Sequence, residues 1–191
     1  MSKDGKGVSR RELLTFWRRP LADAVRKEPP PPPSTPRAAP LRPPGMLQEQ
    51  LLVESCIRCG KCVDVCPARA IFPLSADWGR AEGTPAIDAR RQPCVLCTGL
   101  QCTHVCPSGA LLPTFVNGDV VMGTAVLDAD RCVAYHGHQC DVCKTACPMP
   151  GAIVIEGDGR VRVDDARCVG CGLCEHVCPT EPTSIHVVPR A

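Results

Sequence analysis

The chain has 191 residues, of which 16 are cysteine and only six are Phe, Trp or Tyr, and its formal net charge at pH 7 is +2. So few large side chains argue against an ordinary hydrophobic core. The sequence contains no run of about 18 apolar residues, so no transmembrane helix is predicted.

An uneven charge distribution predicts a basic head at residues 1–27. Residues 1–44 carry 10 Lys/Arg against 4 Asp/Glu, whereas residues 45–191 carry 12 against 16. We expect an amphipathic helix that contacts a partner or an acidic membrane surface through residues 8–27, with a frayed tail as the alternative. Nucleic acid is not expected as a partner, since no interleaved aromatics or nucleic-acid motif accompany the basic residues. The apolar side of this helix would consist of Leu13, Leu14, Phe16 and Trp17.

The basic head also contains a sequence signal that bears on where in the cell the protein is located. Ser9, Arg10 and Arg11 begin a segment that resembles a twin-arginine export motif. An export signal needs an apolar stretch of about 7–15 residues next, but Arg18 and Pro20 interrupt it. We therefore predict a cytoplasmic protein, associated with a membrane through its head, and keep periplasmic export as the alternative.

A proline-rich linker is predicted at residues 28–44, where Pro29–Pro33 are consecutive and four further prolines follow. This composition favours extended polyproline II structure, which cannot pack a core. The predicted domains are thus a basic head (1–27), a disordered linker (28–44) and a cysteine-rich domain (45–191). Deleting residues 1–44 should leave the cofactor content of that domain intact.

The cysteine-rich domain should open with a short helix at residues 46–55. One helical turn and a strand start are predicted at residues 68–72, followed by a loop at residues 73–86. Trp78 in this loop either shields a cofactor or covers the loop surface.

Four cysteine motifs, each ending in Cys-Pro, organise the rest of the domain. They begin at residues 56, 94, 132 and 168, so the repeat lengths are 38, 38 and 36 residues. No cysteine lies outside them: the motifs are Cys56, Cys59, Cys62 and Cys66; Cys94, Cys97, Cys102 and Cys106; Cys132, Cys140, Cys143 and Cys147; and Cys168, Cys171, Cys174 and Cys178.

Three close cysteines, then a fourth before proline, are typical of ligands to [4Fe–4S] clusters. Zinc sites usually use two separated Cys-x-x-Cys pairs, and disulfide scaffolds occur in short secreted chains with a signal peptide. The pattern therefore favours four [4Fe–4S] clusters held by all 16 cysteines. We expect the clusters to replace part of the missing core, so that the metal-free chain is poorly folded.

Each later motif follows an apolar residue and an aspartate: Asp88, Asp128 and Asp164. Apolar residues follow the motifs, and residues 117–119 and 157–159 are predicted hairpin-type turns. The repeating unit is then strand, cysteine loop, helical turn and strand. The predicted fold class is α+β, with tandem ferredoxin-like two-cluster units and little regular secondary structure.

Residues 50–189 resemble the ferredoxin-type proteins NapG and MauM, from periplasmic nitrate reduction and methylamine utilisation. The resemblance includes the four-residue gap between Cys97 and Cys102 and the seven-residue gap between Cys132 and Cys140. The third motif and the basic head also resemble NapF. NapG-type proteins carry a full twin-arginine leader, whereas the apolar segment of such a leader is missing here.

The resemblance to four-cluster electron-transfer subunits implies that the first motif pairs with the fourth and the second with the third. The alternative is sequential pairing. The implied sets are Cys56, Cys59, Cys62 and Cys178; Cys168, Cys171, Cys174 and Cys66; Cys94, Cys97, Cys102 and Cys147; and Cys132, Cys140, Cys143 and Cys106.

Clusters in line pass single electrons, so the predicted function is electron transfer between redox partner proteins. The resemblance implies a quinol-linked membrane protein on one side and an oxidoreductase on the other. No catalytic residues are predicted. The alternative is an accessory factor for the maturation of a molybdenum or other redox enzyme. Residues beside the cysteines are expected to pack near the clusters rather than bind them: His104, His136, His138, His176 and Tyr135.

Overall fold

Every helix and strand between residues 39 and 190, the part that this computed structural model describes, is short. The predicted head and residues 28–38 of the linker lie outside this range. The α-helices are α1 (Glu49–Ser55), α2 (Lys61–Asp64), α3 (Gln101–His104), α4 (Val142–Ala146) and α5 (Leu173–Val177). The strands are β1 (Ile71–Pro73), β2 (Pro85–Ile87), β3 (Gly123–Leu127), β4 (Ile153–Ile155), β5 (Val161–Val163) and β6 (Ile185–Pro189). Short 3-10 segments cover Ala76–Ala81, Asn117–Asp119 and Val133–His136.

The strands form antiparallel pairs in a repeated order. The described chain has two halves: the first contains the motifs that begin at Cys56 and Cys94, and the second contains those that begin at Cys132 and Cys168. In the second half, β3 pairs with the last strand, β6, and the β4–β5 hairpin lies between these two strands in the sequence. In the first half, a bridge between Met46 and Leu111 joins the two ends of the half, and the β1–β2 pair lies between them in the sequence. Each half therefore brings its two cysteine motifs together. The mixture of helix and strand agrees with the predicted class at this level.

The predicted helix at residues 46–55 is confirmed as α1, which buries Leu52 completely. The strand start predicted within residues 68–72 is confirmed by β1. The loop at 73–86 contains the 3-10 segment Ala76–Ala81 and the start of β2.

One of the two predicted hairpin turns is confirmed. Residues 157–159 connect β4 to β5, and the Gly159 N–H donates to the carbonyl of Glu156 at 2.9 Å. The prediction for residues 117–119 is wrong. They form a single 3-10 turn that leads into β3, and the partner of β3 is β6 rather than a strand before the turn.

The interior is divided into two apolar clusters that contain cysteine side chains. One includes Cys94, Cys102 and Cys171, and the other includes Cys132, Cys143, Cys174 and Cys178. Leu100 and Met122 are buried in the first cluster, and Ile185 is buried in the second. Cysteine therefore takes positions that Leu or Phe would occupy in an ordinary core.

The end of the proline-rich stretch packs against the folded part of the chain. Leu41, Arg42, Pro43 and Pro44 are all buried, although they belong to the stretch for which the sequence predicts an unpacked linker. Arg42 explains this. Its guanidinium donates to the Glu49 carboxylate (Nε to Oε2, 2.8 Å), to Thr84 Oγ1 at 3.0 Å and to the Pro85 carbonyl at 2.7 Å. Leu41 also forms a bridge to Ile87.

Within residues 39–190, no helix has both the length and the apolar character that crossing a bilayer requires.

Candidate cofactor-binding sites

Four cavities in the described chain are each lined by four cysteines. Every cavity takes the first three cysteines of one motif and the Cys-Pro cysteine of another. We call these sets the first to fourth quartets, after the motif that supplies three members. They are Cys56, Cys59, Cys62 and Cys106; Cys94, Cys97, Cys102 and Cys66; Cys132, Cys140, Cys143 and Cys178; and Cys168, Cys171, Cys174 and Cys147.

The motif pairing inferred from four-cluster electron-transfer subunits is therefore wrong, and the sequential alternative agrees with the structure. Cys66 lies with the second motif rather than the fourth, and Cys147 lies with the fourth rather than the second. The physical reason is local. Helix α2 packs against α3, and α4 packs against α5. Each helix thus turns its Cys-Pro cysteine towards the neighbouring motif of the same half.

The donor chemistry and the arrangement of the thiols fit a polynuclear iron–sulfur group. Apart from the cysteines, the second, third and fourth cavities are lined mostly by apolar residues. Within residues 39–190, no three or more His, Cys, Asp or Glu side chains are arranged to hold a single metal ion. The thiols instead surround a volume, which suits a cube that binds one thiolate at each of four corners.

Aspartates fix the loops that carry the first cysteines. The Asp164 carboxylate accepts from the N–H of Ala166 at 3.0 Å, and its carbonyl accepts from the N–H of Cys168 at 2.9 Å. Asp128 binds the start of the third motif in the same way, through the N–H groups of Asp130 and Cys132. A short side chain that binds its own following backbone favours such turns. This explains the aspartates that precede the third and fourth motifs. Asp88, before the second motif, accepts from the N–H of Arg91 at 3.1 Å, but the N–H of Cys94 donates to the carbonyl of Cys171 instead.

Burial controls the ionisation of most cavity thiols whose pKa is displaced. It raises the pKa of Cys94 to about 12 and that of Cys143 to about 11. In the first quartet, burial and then the charge of Cys56 raise the pKa of Cys62 to about 11. Because the thiolate is the metal ligand, cofactor binding must displace protons from these sulfurs.

Cys178 differs because hydroxyl groups face its sulfur. Burial acts to raise its pKa, but hydrogen bonds from Ser184 and Thr180 outweigh burial and lower the pKa to about 6. Both hydroxyl oxygens lie 3.3 Å from Cys178 Sγ. The third quartet therefore has one thiolate that is stabilised before any metal binds.

The first quartet is the most exposed of the four. None of its cysteines is buried and Cys59 is exposed, whereas three cysteines of the third quartet are buried. Next to Cys56, the Ile57 side chain is 63% exposed. The first cavity therefore offers the most direct access from solvent.

The histidines lie outside the four cavities and bind backbone groups where a partner is present. A ring nitrogen of His104 lies 3.2 Å from the Thr114 carbonyl, one of His136 lies 2.8 Å from that of Asp130, and one of His176 lies 2.9 Å from that of Arg90. Tyr135 donates to the Val161 carbonyl at 2.9 Å. Neither Trp78 nor His138 lines a cysteine cavity.

Two kinds of site residue escaped the sequence analysis. Thr180 follows Cys178 by two positions, and Ser108 stands in the same relation to Cys106, so a Cys-Pro-Ser/Thr pattern could have signalled a hydroxyl near sulfur. No sequence pattern indicates Ser184, whose hydroxyl comes close to Cys178 Sγ only in the folded chain. Arg90 also carries no sequence signal, although its guanidinium donates to the carbonyls of Glu175 and Cys178 in the other half.

Comparisons with known proteins agree with this chemistry. A family model described as a 4Fe-4S dicluster domain matches residues 55–110 and 138–181. The first segment contains both motifs of the first half. The second segment contains every cysteine of the second half except Cys132.

Curated relatives extend the match to most of the chain. The ferredoxin-type protein NapG of Escherichia coli is 39% identical over 162 residues, which cover 78% of this chain and 70% of NapG. The methylamine utilization ferredoxin-type protein MauM of Methylobacillus flagellatus is 38% identical over 81% of this chain and 70% of that protein. MauM of Methylorubrum extorquens is 35% identical over 97% of this chain and 91% of that protein.

These relatives and the matched family model make the protein an iron–sulfur electron carrier rather than an enzyme with its own substrate. The chain belongs to the NapG/MauM family of ferredoxin-type proteins.

Proposed function

We propose that the protein binds four [4Fe–4S] clusters, one in each cysteine quartet, and relays single electrons between two redox proteins. The observation that carries this proposal is the division of all 16 cysteines into four cavities with none left over. When bound, such clusters supply one-electron redox chemistry, with potentials set by hydrogen bonds, charge and solvent exposure. The protein's part is to hold the thiolates, exclude water and order the sites.

Each half of the chain would then be a ferredoxin-like unit, and the two units would stand in tandem. The exchange of Cys-Pro cysteines within each half supports this assignment, because two-cluster ferredoxins use the same exchange. The repeated order of strand pairing supports it as well.

The redox partners we propose are a quinone-linked membrane protein and an oxidoreductase. An accessory role in enzyme maturation is not favoured, since the relatives are ferredoxin-type electron carriers.

Metal analysis of anaerobically prepared protein tests the cofactor proposal. We expect about 16 iron and 16 sulfide per chain, with electron paramagnetic resonance (EPR) signals of reduced [4Fe–4S] clusters. Cys171→Ser should remove or alter one cluster and leave the other three. Clearly fewer than 16 iron atoms in the unmodified chain, or zinc in their place, would contradict the proposal.

For location, we propose that the protein stays in the cytoplasm and contacts the membrane through residues 8–27. Fractionation of cells that express the full chain tests this, with Arg10→Lys/Arg11→Lys as the variant that blocks twin-arginine export. Periplasmic protein that the double substitution abolishes would establish the export alternative instead.

A further inference from the structure

The two halves meet through the loops of their second and fourth motifs. The N–H of Cys94 donates to the carbonyl of Cys171 at 3.0 Å, which joins the two cysteine loops directly. Cys94, Val169 and Cys171 also share one apolar cluster, whereas the cysteines of the third motif lie in the other. The second quartet therefore adjoins the fourth, although the third motif follows the second in the sequence.

The close approach depends on the absence of a side chain at position 172. A Cβ built on Gly172 would overlap the Cβ of Ala89, lie 3.2 Å from its Cα and contact Pro93 at 3.7 Å. Ala89 and Pro93 precede Cys94, and Gly172 directly follows Cys171. Any larger residue at position 172 must push the two cysteine loops apart.

Arg90 also stabilises the contact between these two cysteine loops. The Arg90 guanidinium donates to the carbonyls of Glu175 at 2.8 Å and Cys178 at 2.9 Å, and it pairs with the Glu181 carboxylate at 2.7 Å. In return, the Arg90 carbonyl lies 2.9 Å from Nδ1 of His176. The loop before the second motif is thus tied to the carboxy-terminal part of α5.

The two apolar clusters give the same order. One contains Cys94, Cys102 and Cys171, and Cys62 and Cys66 pack against it, so it joins the first, second and fourth quartets. The other contains Cys132, Cys143, Cys174 and Cys178, so it joins the fourth quartet to the third. The quartets thus form a series in space.

We propose that the contact of Cys94 with Cys171, permitted by Gly172 and clamped by Arg90, is where electrons cross between the two halves. The quartets then act in the spatial order first, second, fourth, third. Gly172 and Arg90 are positioning residues, because they set the separation of two ligand loops without binding the clusters themselves. This inference rests on the proposed function, in which each quartet holds a cluster.

Substitution of Gly172 tests the inference, with Gly159 as a matched control. Both glycines have positive φ, +85° and +84°, so alanine is strained at either, but a Cβ at Gly159 would meet nothing within 4 Å. We expect Gly172→Ala to keep the iron and sulfide content. In Gly172→Ala, we expect a weaker magnetic interaction between reduced clusters across the contact and at least tenfold faster hydrogen exchange at the Cys94 amide. Gly159→Ala should change neither quantity.

Two further variants keep the test decisive if Gly172→Ala loses its clusters. Ala89→Gly/Gly172→Ala removes the overlapping Cβ and should recover part of both signals. Arg90→Gln leaves the glycine intact and should weaken the magnetic interaction, whereas Arg91→Gln beside it should not. Unchanged interaction and unchanged Cys94 exchange in Gly172→Ala and Arg90→Gln, with the full iron content present, would overturn the crossing point. A low iron content in the unmodified chain would overturn the proposed function instead.

Discussion

The four cysteines that precede proline occupy equivalent positions in the sequence but have different hydrogen-bond partners. Cys66 Sγ accepts from the Ala70 N–H at 3.3 Å, and Cys106 Sγ accepts from the Leu111 N–H at 3.4 Å. Cys178 Sγ lies 3.3 Å from the hydroxyl oxygens of both Ser184 and Thr180, whereas Cys106 Sγ has one hydroxyl neighbour, Ser108, at 3.6 Å. Because donors to sulfur stabilise the more negative, reduced cluster, these residues should separate the potentials of otherwise similar sites.

Ser184→Ala should lower the reduction potential of the cluster in the third quartet. A hydrogen bond of about 0.5–1.5 kcal/mol corresponds to roughly 20–65 mV for a one-electron couple. An EPR-monitored redox titration measures the shift. Ser75→Ala is the control, since Ser75 lines none of the four cavities. A potential that stays within a few mV would show that the hydroxyl does not act on the cluster.

The solvent exposure of the cysteines should decide which quartet loses its iron first. No cysteine of the first quartet is buried, whereas Cys132, Cys143 and Cys178 of the third are. During slow treatment with a chelator and an alkylating reagent, we expect Cys59 and its quartet to be modified first and the third quartet last. Mass spectrometry of timed samples gives the order. Simultaneous modification of all quartets would mean that unfolding, rather than access, limits iron loss.

The elements of this protein are too short to be stable by themselves, since the longest described α-helix has seven residues and the strands have three to five. Helices below about 12–15 residues are marginal in water. The helices and strands must therefore be held in place by the loops between them and by the cysteine ligands that those loops position. Turn-forming aspartates and cysteine ligation thus replace the length that usually stabilises a helix or strand.

Asp164→Ala should destabilise the fourth motif loop by about 0.5–2 kcal/mol, the usual effect of losing a side chain that caps backbone N–H groups. Asp165→Ala is the matched control, because Asp165 is the exposed neighbour. Thermal unfolding of the cluster-loaded protein, followed by its visible absorbance, gives the comparison. Asp164→Asn should retain most of the stability, since the amide oxygen can still accept the Ala166 N–H. Equal loss in the two alanine variants would contradict the role of Asp164.

At the scale of the whole molecule, the folded part begins before the predicted boundary at residue 45. The Arg42 side chain is 1% exposed and ion-paired with Glu49. It also reaches the β2 region through Thr84 and Pro85. Residues 41–44 are therefore a strap across the first half rather than part of a free spacer.

Removal of residues 1–38 should preserve both cluster content and thermal stability, whereas removal of residues 1–44 should lower stability. Within the full chain, Arg42→Ala should cost about 2–4 kcal/mol, because it leaves buried acceptors without a donor. Arg80→Ala is the control: its pair with Glu54 spans 3.7 Å and both side chains are exposed, so about 0–1 kcal/mol is expected. Equal stability of the two truncated chains would show that the strap contributes nothing.

Much of the site could be predicted from the sequence because its chemistry is local. All 16 cysteines, their grouping into motifs and the positions of the aspartates before the later motifs follow from the sequence, although the hydrogen bonds of those aspartates do not. The pairing of motifs could not be deduced, since every motif ends in the same Cys-Pro and either arrangement satisfies the ligand count. The approach of Gly172 to Ala89 and the burial of Arg42 depend on contacts between distant segments. Neither of these two features is accompanied by a periodic pattern in the sequence.

The exchange of Cys-Pro cysteines also has a consequence for biosynthesis. Cys106 completes a quartet that begins at Cys56, and Cys178 completes one that begins at Cys132. A ribosome must therefore reach the second motif of a half before the sulfur set of either site in that half is complete. The amino-terminal half has its whole set once residue 106 has left the exit tunnel, so its metal loading can precede completion of the carboxy-terminal half.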